Sequence, residues 1–362
     1  MKKIHILVEN LSIKRGSERI ACLLMNELSS RYEIYCISLR GDKEKLAYFL
    51  DSKINIYFLS SSLKRIRYSF IFWIYKYLFY IFKYKPKIIL NVGLSPILIS
   101  VFAKFVFLNV KIISWEHTTL KNAFSNKIKE KIRKIALVFS NKIVVLTKKD
   151  KENYQKKYIN YQKKIKYIYN FIDENLLELN KIYDIKSKKI ITVGSFDKVK
   201  GYDRLVRIAK KVLEKNKDWE WHIYGDGEKF ENINFLIKEN QLEEKLILKG
   251  KVDNIYELYK EYSFYVMTSY YEGLPMVLLE AKANNLPLVS FDIETGPSEI
   301  IRNGVDGYLI ENNNLEQMIE KIDYLIKNEN VRKKFSDKSK ENLDKFEKNK
   351  IINQWIELIE NI

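Results

Sequence analysis

Residues 264–292 read FYVMTSYYEGLPMVLLEAKANNLPLVSFD. The run FYVMTS (264–269) is β-branched and aromatic, the composition of a strand, and PLVSF (287–291) is a second such run. MVLLEAKA (276–283) between them reads as a helix, and Gly273-Leu274-Pro275 as the turn into it, with Pro275 suited to the first helical position. Free N–H groups at a helix start form an anion site apt for a phosphate. Two carboxylates flank this break, Glu272 and Glu280. On one helix they would lie about 12 Å apart along the axis and about 80° apart around it. That suits no single carboxylate pair. It suits one long ligand, with a phosphate at the helix start and hydroxyl groups at each end, because ionised carboxylates only accept hydrogen bonds. Taken alone, two glutamates in a chain rich in Glu also fit an ordinary exposed helix face.

Working outward, strand and helix alternate. Short apolar runs at 3–8, 33–38, 54–59, 87–92, 111–115, 142–146 and 164–169 are strands, and 17–30 has helical spacing through Ile20, Leu23, Leu24 and Leu28. The segment NFIDENLLELN (170–180) reads as a connector. The pattern then restarts with a strand at 189–193, a helix at 202–214 and strands at 219–224, 245–249, 264–268 and 287–291. This is the α/β pattern of doubly wound parallel sheets. It predicts two Rossmann-like domains, 1–170 and 171–344, with a cleft between them. The tail, 345–362, carries Ile351, Ile352, Trp355, Ile356 and Ile359 and is predicted to be an amphipathic helix returning to the first domain. Ligands of such sheets bind outside the carboxyl ends of the strands.

The chain of 362 residues is 46% hydrophobic with 12 Gly and 5 Pro, which excludes disordered and fibrous classes. Cys22 and Cys36 lie in apolar-periodic segments and imply neither a disulfide framework nor a metal site. The start, MKKIHILVEN, lacks the long apolar stretch and cleavage site of a signal peptide. Net charge is +18, unevenly placed: residues 1–170 hold 34 Lys/Arg against 11 Asp/Glu, and the remainder 30 against 35. General overuse of lysine would explain the count but not the asymmetry. The basic half implies a polyanionic partner, whether an anionic membrane, nucleic acid or a phosphorylated substrate.

The segment LKRIRYSFIFWIYKYLFYIFKYKPK (63–87) narrows the choice. It reads as an aromatic helix flanked by Lys64, Arg65 and Arg67 on one side and Lys83, Lys85 and Lys87 on the other. A spanning helix needs about 20 mostly apolar residues, and Lys76 divides this run into uncharged pieces of eight and six. Aromatics beside basic residues suit a bilayer interface, where each Lys or Arg gains about 1 kcal/mol near anionic headgroups. A helix covering the sheet is the competing expectation, and part of this one must serve that end.

The motifs together resemble the retaining glycosyltransferases of family 4, which have the GT-B fold. The likeness runs along essentially the whole chain: EGLPMVLLEA (272–281), LPLVSFD (286–292), TGPSEII (295–301) and NGVDGYLI (303–310), preceded by RGSERI (15–20), SWEHTT (114–119), VGSFDKVKG (193–201), YGDGE (224–228) and LKGKV (248–252). The resemblance implies that Glu280 binds the ribose hydroxyls of a nucleotide and Glu272 the hydroxyls of a donor sugar. The backbone of Gly273, Leu274, Pro275 and Met276 would meet sugar and phosphates, and Lys200 the diphosphate. Gly16 would let the N-terminal loop come close, and His117, after the strand KIISW, would stand at the reaction face. Ser195 stands where many members carry an arginine for the diphosphate, a charge that Arg15 could partly replace. Ser17 replaces a loop glycine, and Phe171 stands where a glycine is common.

The implied activity is transfer of a hexose or N-acetylhexosamine from a nucleotide diphosphate-sugar to a hydroxyl acceptor with retained configuration. The donor is read as a UDP-sugar, of galactose or N-acetylgalactosamine. No metal or other cofactor is implied, since nothing resembles an Asp-x-Asp motif. The acceptor is read as a glycan, lipid-linked, in capsule, lipopolysaccharide or glycoprotein assembly. The expected location is cytoplasmic, peripheral on the inner face of the membrane. Rival readings are a nucleotide-sugar epimerase, an inactive sugar-binding homologue and a basic nucleic-acid-binding protein. The last is disfavoured because the aromatics concentrate in one apolar helix and the motifs already account for the cleft, and nucleic acid is not expected as a partner.

Overall fold

The computed structural model describes all residues except 43, 61–65, 121–126, 178–182 and 253, and the backbone alone at 66–69, 175 and 177. The chain forms two compact units, Met1–Phe171 with Asn349–Ile362, and Ile172–Lys348. Both are α/β, each built on one parallel sheet, as the alternating pattern predicts.

The sheet of the first unit has seven strands: β1 (Lys3–Asn10), β2 (Glu33–Arg40), β3 (Asn55–Phe58), β4 (Ile88–Val92), β5 (Lys111–Trp115), β6 (Lys142–Val145) and β7 (Ile165–Tyr167). They pair in the order β3-β2-β1-β4-β5-β6-β7, all parallel. Central strands such as IILNV of β4 are buried at every position, as a sheet covered on both faces requires. Cys22 and Cys36 are free thiols within this core. The Lys348–Glu360 helix belongs to the same unit. Its Trp355 meets Trp115 edge-on, with ring centroids 4.8 Å apart, and its Glu360 accepts a hydrogen bond of 2.6 Å from the Tyr32 hydroxyl and pairs with Lys2. This helix starts at Lys348 rather than 345, because the backbone turns extended at Glu347 after a 3-10 turn at Asp344–Phe346.

The aromatic segment forms a helix over Ile66–Tyr84. Trp73, Tyr77 and Ile81 bury one stripe of it in the core of the first unit. Lys64 and Arg65 lie outside the described residues, as does the Arg67 side chain. Among the described residues, no helix is long and apolar enough to cross a membrane.

The second unit has six parallel strands: β8 (Lys189–Val193), β9 (Glu220–Tyr224), β10 (Leu246–Gly250), β11 (Phe264–Met267), β12 (Leu288–Asp292) and β13 (Gly307–Glu311), in the order β10-β9-β8-β11-β12-β13. The chain winds one way from β8 to β10 and the other way from β11 to β13. β8 and β11 are therefore neighbours at the reversal, where a parallel sheet opens its ligand crevice. β13 is not legible as a strand in NGVDGYLI, being a short edge run that begins on Gly307. The 164–169 strand contracts to β7, because Ile159–Lys164 ahead of it is a 3-10 turn.

Candidate active site

The loops leaving β8 and β11 carry most of the candidate residues. The β8 loop runs from Gly194 to a 3-10 turn at Lys198–Lys200, capped by Asp197, whose carboxylate accepts from the Val199 N–H at 2.8 Å and from the Ser195 hydroxyl at 2.6 Å. Gly201 ends the turn with φ +65, and a Cβ there would stand 2.1 Å from the Thr268 carbonyl oxygen. Only glycine lets the two loops approach so closely. Tyr270 N–H donates to the Val199 carbonyl at 2.7 Å, and the Thr268 hydroxyl to the Lys200 carbonyl at 3.1 Å.

This stitching sets the Lys200 ammonium 2.7 Å from a carboxylate oxygen of Glu272, which also accepts from the Ser269 hydroxyl at 2.7 Å. Burial of the ammonium works to lower its pKa. The charge and hydrogen bond of Glu272, helped by Asp197 and Tyr271, outweigh it and hold the pKa above the ordinary lysine value. Lys200 is therefore a fixed cation. The Thr295 hydroxyl donates to the Glu272 backbone carbonyl at 2.6 Å and ties the loop to the β12 side.

The helix after this loop is Met276–Ala283. Pro275 is its N-cap, with ψ 96, so the first helical residue is Met276 and not Pro275. Its ring packs against Gly296, where a Cβ would lie 2.5 Å from the Pro275 Cδ. Glu272 is thus four residues ahead of the helix, in the loop, and the two glutamates do not share a helix. The first intrahelical bond runs from Leu278 N–H to Pro275 O at 3.0 Å, leaving the Met276 and Val277 N–H groups ahead of the ladder. Glu280, one turn in, is buried and accepts from the Tyr256 hydroxyl at 3.3 Å. Gly273, Leu274 and Met276 occupy the same turn, and Ser195 is exposed on the facing loop.

Two structural residues escaped the sequence reading. Arg204 is buried, with its guanidinium between the rings of Tyr270 and Phe291 at 4.2 and 4.1 Å. It donates to the Thr268 carbonyl at 2.5 Å, to the Ser269 carbonyl and to Asn313 at 2.8 Å, locking the start of the Glu272 loop. Burial brings its pKa down to about 10, still a cation at neutral pH. The available signal was its helical register: Arg204 sits four residues before Ile208 and eight before Val212, on the buried stripe. Tyr265 is the second, its hydroxyl donating to the Val193 carbonyl at 2.9 Å across the β8–β11 seam.

Gly16 and His117 lie in the first unit. Gly16 opens the Gly16–Leu28 helix rather than sitting in a loop, and a Cβ on it would meet nothing within 4 Å. Arg15 is its N-cap and faces Glu9 at 4.0 Å. His117 follows β5, and its ring lies 4.3 Å from that of Trp115. Burial brings its pKa down to about 3, so it is neutral, and its Nε2 has no hydrogen-bond partner among the described residues. The loop is held by Glu116, which accepts from Thr118, from Arg133 at 3.4 Å and from the Tyr154 hydroxyl at 3.1 Å. Asp150 accepts from Leu120 N–H at 3.0 Å and Thr119 at 3.1 Å, and burial pushes its pKa up to about 7.

Among the described residues, no three His, Cys, Asp or Glu side chains converge as a metal site. The arrangement instead presents a cation, a carboxylate acceptor and helix N–H groups within one crevice mouth, which can hold a diphosphate bearing hydroxylated groups.

Comparison with known proteins identifies the family. Residues 14–176 match the family described as Glycosyltransferase Family 4, and residues 177–342 match Glycosyl transferases group 1. A protein of Haemophilus influenzae described as an uncharacterized glycosyltransferase is 30% identical over 98% of this chain and 99% of its own. An N-acetylgalactosamine-N,N'-diacetylbacillosaminyl-diphospho-undecaprenol 4-alpha-N-acetylgalactosaminyltransferase of Campylobacter jejuni is 27% identical over 97% of each chain. In structure, a mutant of S. aureus TarM in complex with fondaparinux, alpha-GlcNAc-glycerol and UDP shares the fold, with TM-score 0.82, 18% identity and 99% of both chains covered. With two parallel-sheet units, this succession of strand-end loops and full-length relatives, the chain belongs to glycosyltransferase family 4 and is a transferase of the GT-B fold.

Proposed function

We propose that the chain moves a hexose or N-acetylhexosamine, with retained configuration, from a UDP-sugar to a hydroxyl of a lipid-linked glycan at the cytoplasmic face of a membrane. One observation carries the reading: Lys200, Glu272 and the start of the Met276–Ala283 helix meet at the reversal point of the second sheet. In this reading Glu280 takes the ribose hydroxyls and Glu272 the sugar hydroxyls. Lys200 and the Met276 and Val277 N–H groups take the diphosphate. Charge builds on that diphosphate as the sugar leaves, so a preorganised cation and helix N–H groups lower the barrier there. The acceptor attacks on the same face, and the leaving phosphate helps to take its proton. No metal step enters. The parts of His117 and Gly16 rest on the family resemblance alone.

UDP as the nucleotide is supported by its presence in the TarM complex, and the lipid-linked acceptor by the name of the Campylobacter relative and the basic first half of this chain. The test is incubation of purified protein with UDP-galactose, UDP-N-acetylgalactosamine and UDP-N-acetylglucosamine, with and without undecaprenyl-diphosphate-linked glycan, in chelator. The expected result is one extended glycan with the donor's anomeric configuration by NMR, and none with Glu272→Ala. Conversion of donor to its epimer without acceptor would mark an epimerase, and a requirement for Mn²⁺ would contradict the metal-free step.

A further inference from the structure

The Ile66–Tyr84 helix has two apolar stripes. Trp73, Tyr77 and Ile81 face the core, and Ile71, Phe72, Tyr75, Phe79 and Phe82 face outward, all exposed. The outward five fall within about 100° of one another around the axis and run about 17 Å along it. The sequence places Lys76 in their midst, but its ammonium turns inward to the carbonyls of Phe58 at 2.6 Å and Leu59 at 3.2 Å, at the end of β3. The outer stripe therefore carries no charge. It continues onto the Phe102–Val106 helix: Phe82 meets Phe107 edge-on at 5.4 Å, and beyond them Phe105 is 70% and Leu108 87% exposed. Phe105 in turn meets Phe139 of the Lys127–Phe139 helix at 6.2 Å. Isolated exposed hydrophobics are ordinary, but a continuous aromatic stripe over neighbouring helices marks a docking face.

Charge identifies what docks. Between Asp51 and Glu116 the chain has ten Lys or Arg and no acidic residue. Lys83 borders the stripe, and Lys131 and Lys134 are exposed on the Lys127–Phe139 helix. A protein interface tends to mix both signs, whereas an apolar aromatic face bordered by exposed lysines, with Glu130 of the Lys127–Phe139 helix half-buried and paired to Arg133 and Lys157, matches the acyl boundary and headgroups of an anionic bilayer. We infer that this face, formed by the outward stripe of Ile66–Tyr84 with Phe105 and Leu108, lies in the surface of an anionic phospholipid membrane, the helix parallel to its plane. The inference rests on the reading of a membrane-side acceptor and supplies the surface that reading lacks.

The test is flotation of the full chain with vesicles of phosphatidylcholine, with or without phosphatidylglycerol. Wild type is expected to float with the anionic vesicles and weakly with the neutral ones. Ile71→Ser/Phe79→Ser/Leu108→Ser alters only exposed side chains and is expected to lower the anionic partition about tenfold or more. A second variant, Lys83→Glu/Lys131→Glu/Lys134→Glu, is expected to lose the preference for anionic lipid, and it stands as the test should the first not fold. Both variants should still cleave UDP-sugar in solution at the wild-type rate. Equal flotation of wild type and variants, or equal flotation on neutral vesicles, would overturn the inference. So would a wild-type dimer that the triple variant dissolves, with no vesicle binding by either. Failure of the wild type to float while it still cleaves UDP-sugar counts against this inference alone; absent cleavage with wild-type flotation intact counts only against the proposed reaction.

Discussion

The Lys200 ammonium sits 2.7 Å from a Glu272 carboxylate oxygen, joining the loops that leave two adjacent parallel strands. Without ligand, each group satisfies the other in a half-buried site. A diphosphate-sugar offers both a better match: phosphate oxygens for the cation, hydroxyls for the carboxylate.

Replacing Lys200 with Ala removes the cation where leaving-group charge develops. Turnover is expected to fall about 100- to 1,000-fold with a smaller change in donor KM. Steady-state kinetics with saturating acceptor check this. A near-normal rate would remove Lys200 from the diphosphate role.

Glu280→Ala should act on binding instead. The carboxylate is buried one turn into the helix, and losing charged hydrogen bonds to ribose costs about 1.5–3 kcal/mol. UDP affinity measured by titration calorimetry is expected to fall about 10- to 100-fold, with kcat little changed. Unaltered UDP affinity would place the ribose elsewhere.

Arg204→Lys keeps the charge and loses the planar fork held between Tyr270 and Phe291. The loss of about 2–3 kcal/mol in a unit of this size corresponds to a fall of about 5–10 °C in Tm. Arg204 touches no proposed ligand position, so it acts by positioning Glu272. Donor KM should therefore rise together with the fall in Tm, and a stability loss with unchanged KM would make its role purely structural.

Asp150 gives a pH signature. Its folded pKa, about 7, is raised above the usual carboxylate value by burial. The folded state therefore holds the proton more tightly, and the stability this contributes is complete below about pH 4 and lost as pH rises through 7. Asp150→Asn keeps an acceptor for Leu120 N–H and cannot ionise. Its stability relative to wild type, from urea midpoints, is expected to grow between pH 4 and 7. A constant difference across that range would contradict the raised pKa.

Much of this was legible because parallel strands buried on both faces write themselves as apolar runs, and the GLP break in 273–275 marks a strand-to-helix turn. Less legible were features that depend on what comes together across the sheet. The Lys200–Glu272 pair joins residues 72 positions apart, and nothing local in VKG or YEG announces it. The turning-in of Lys76 likewise depends on the Phe58 and Leu59 carbonyls at the end of β3. Pro275 was misplaced by one residue because proline's fixed φ suits both the N-cap and the first helical turn, and only ψ separates them.

The most direct test of the central claim is a crystal of this protein soaked with UDP. The account predicts the pyrophosphate at the Met276 and Val277 N–H groups with Lys200 turned onto it, and the ribose hydroxyls on Glu280. A nucleotide bound away from the β8 and β11 loops, with the Lys200–Glu272 pair undisturbed, would contradict it.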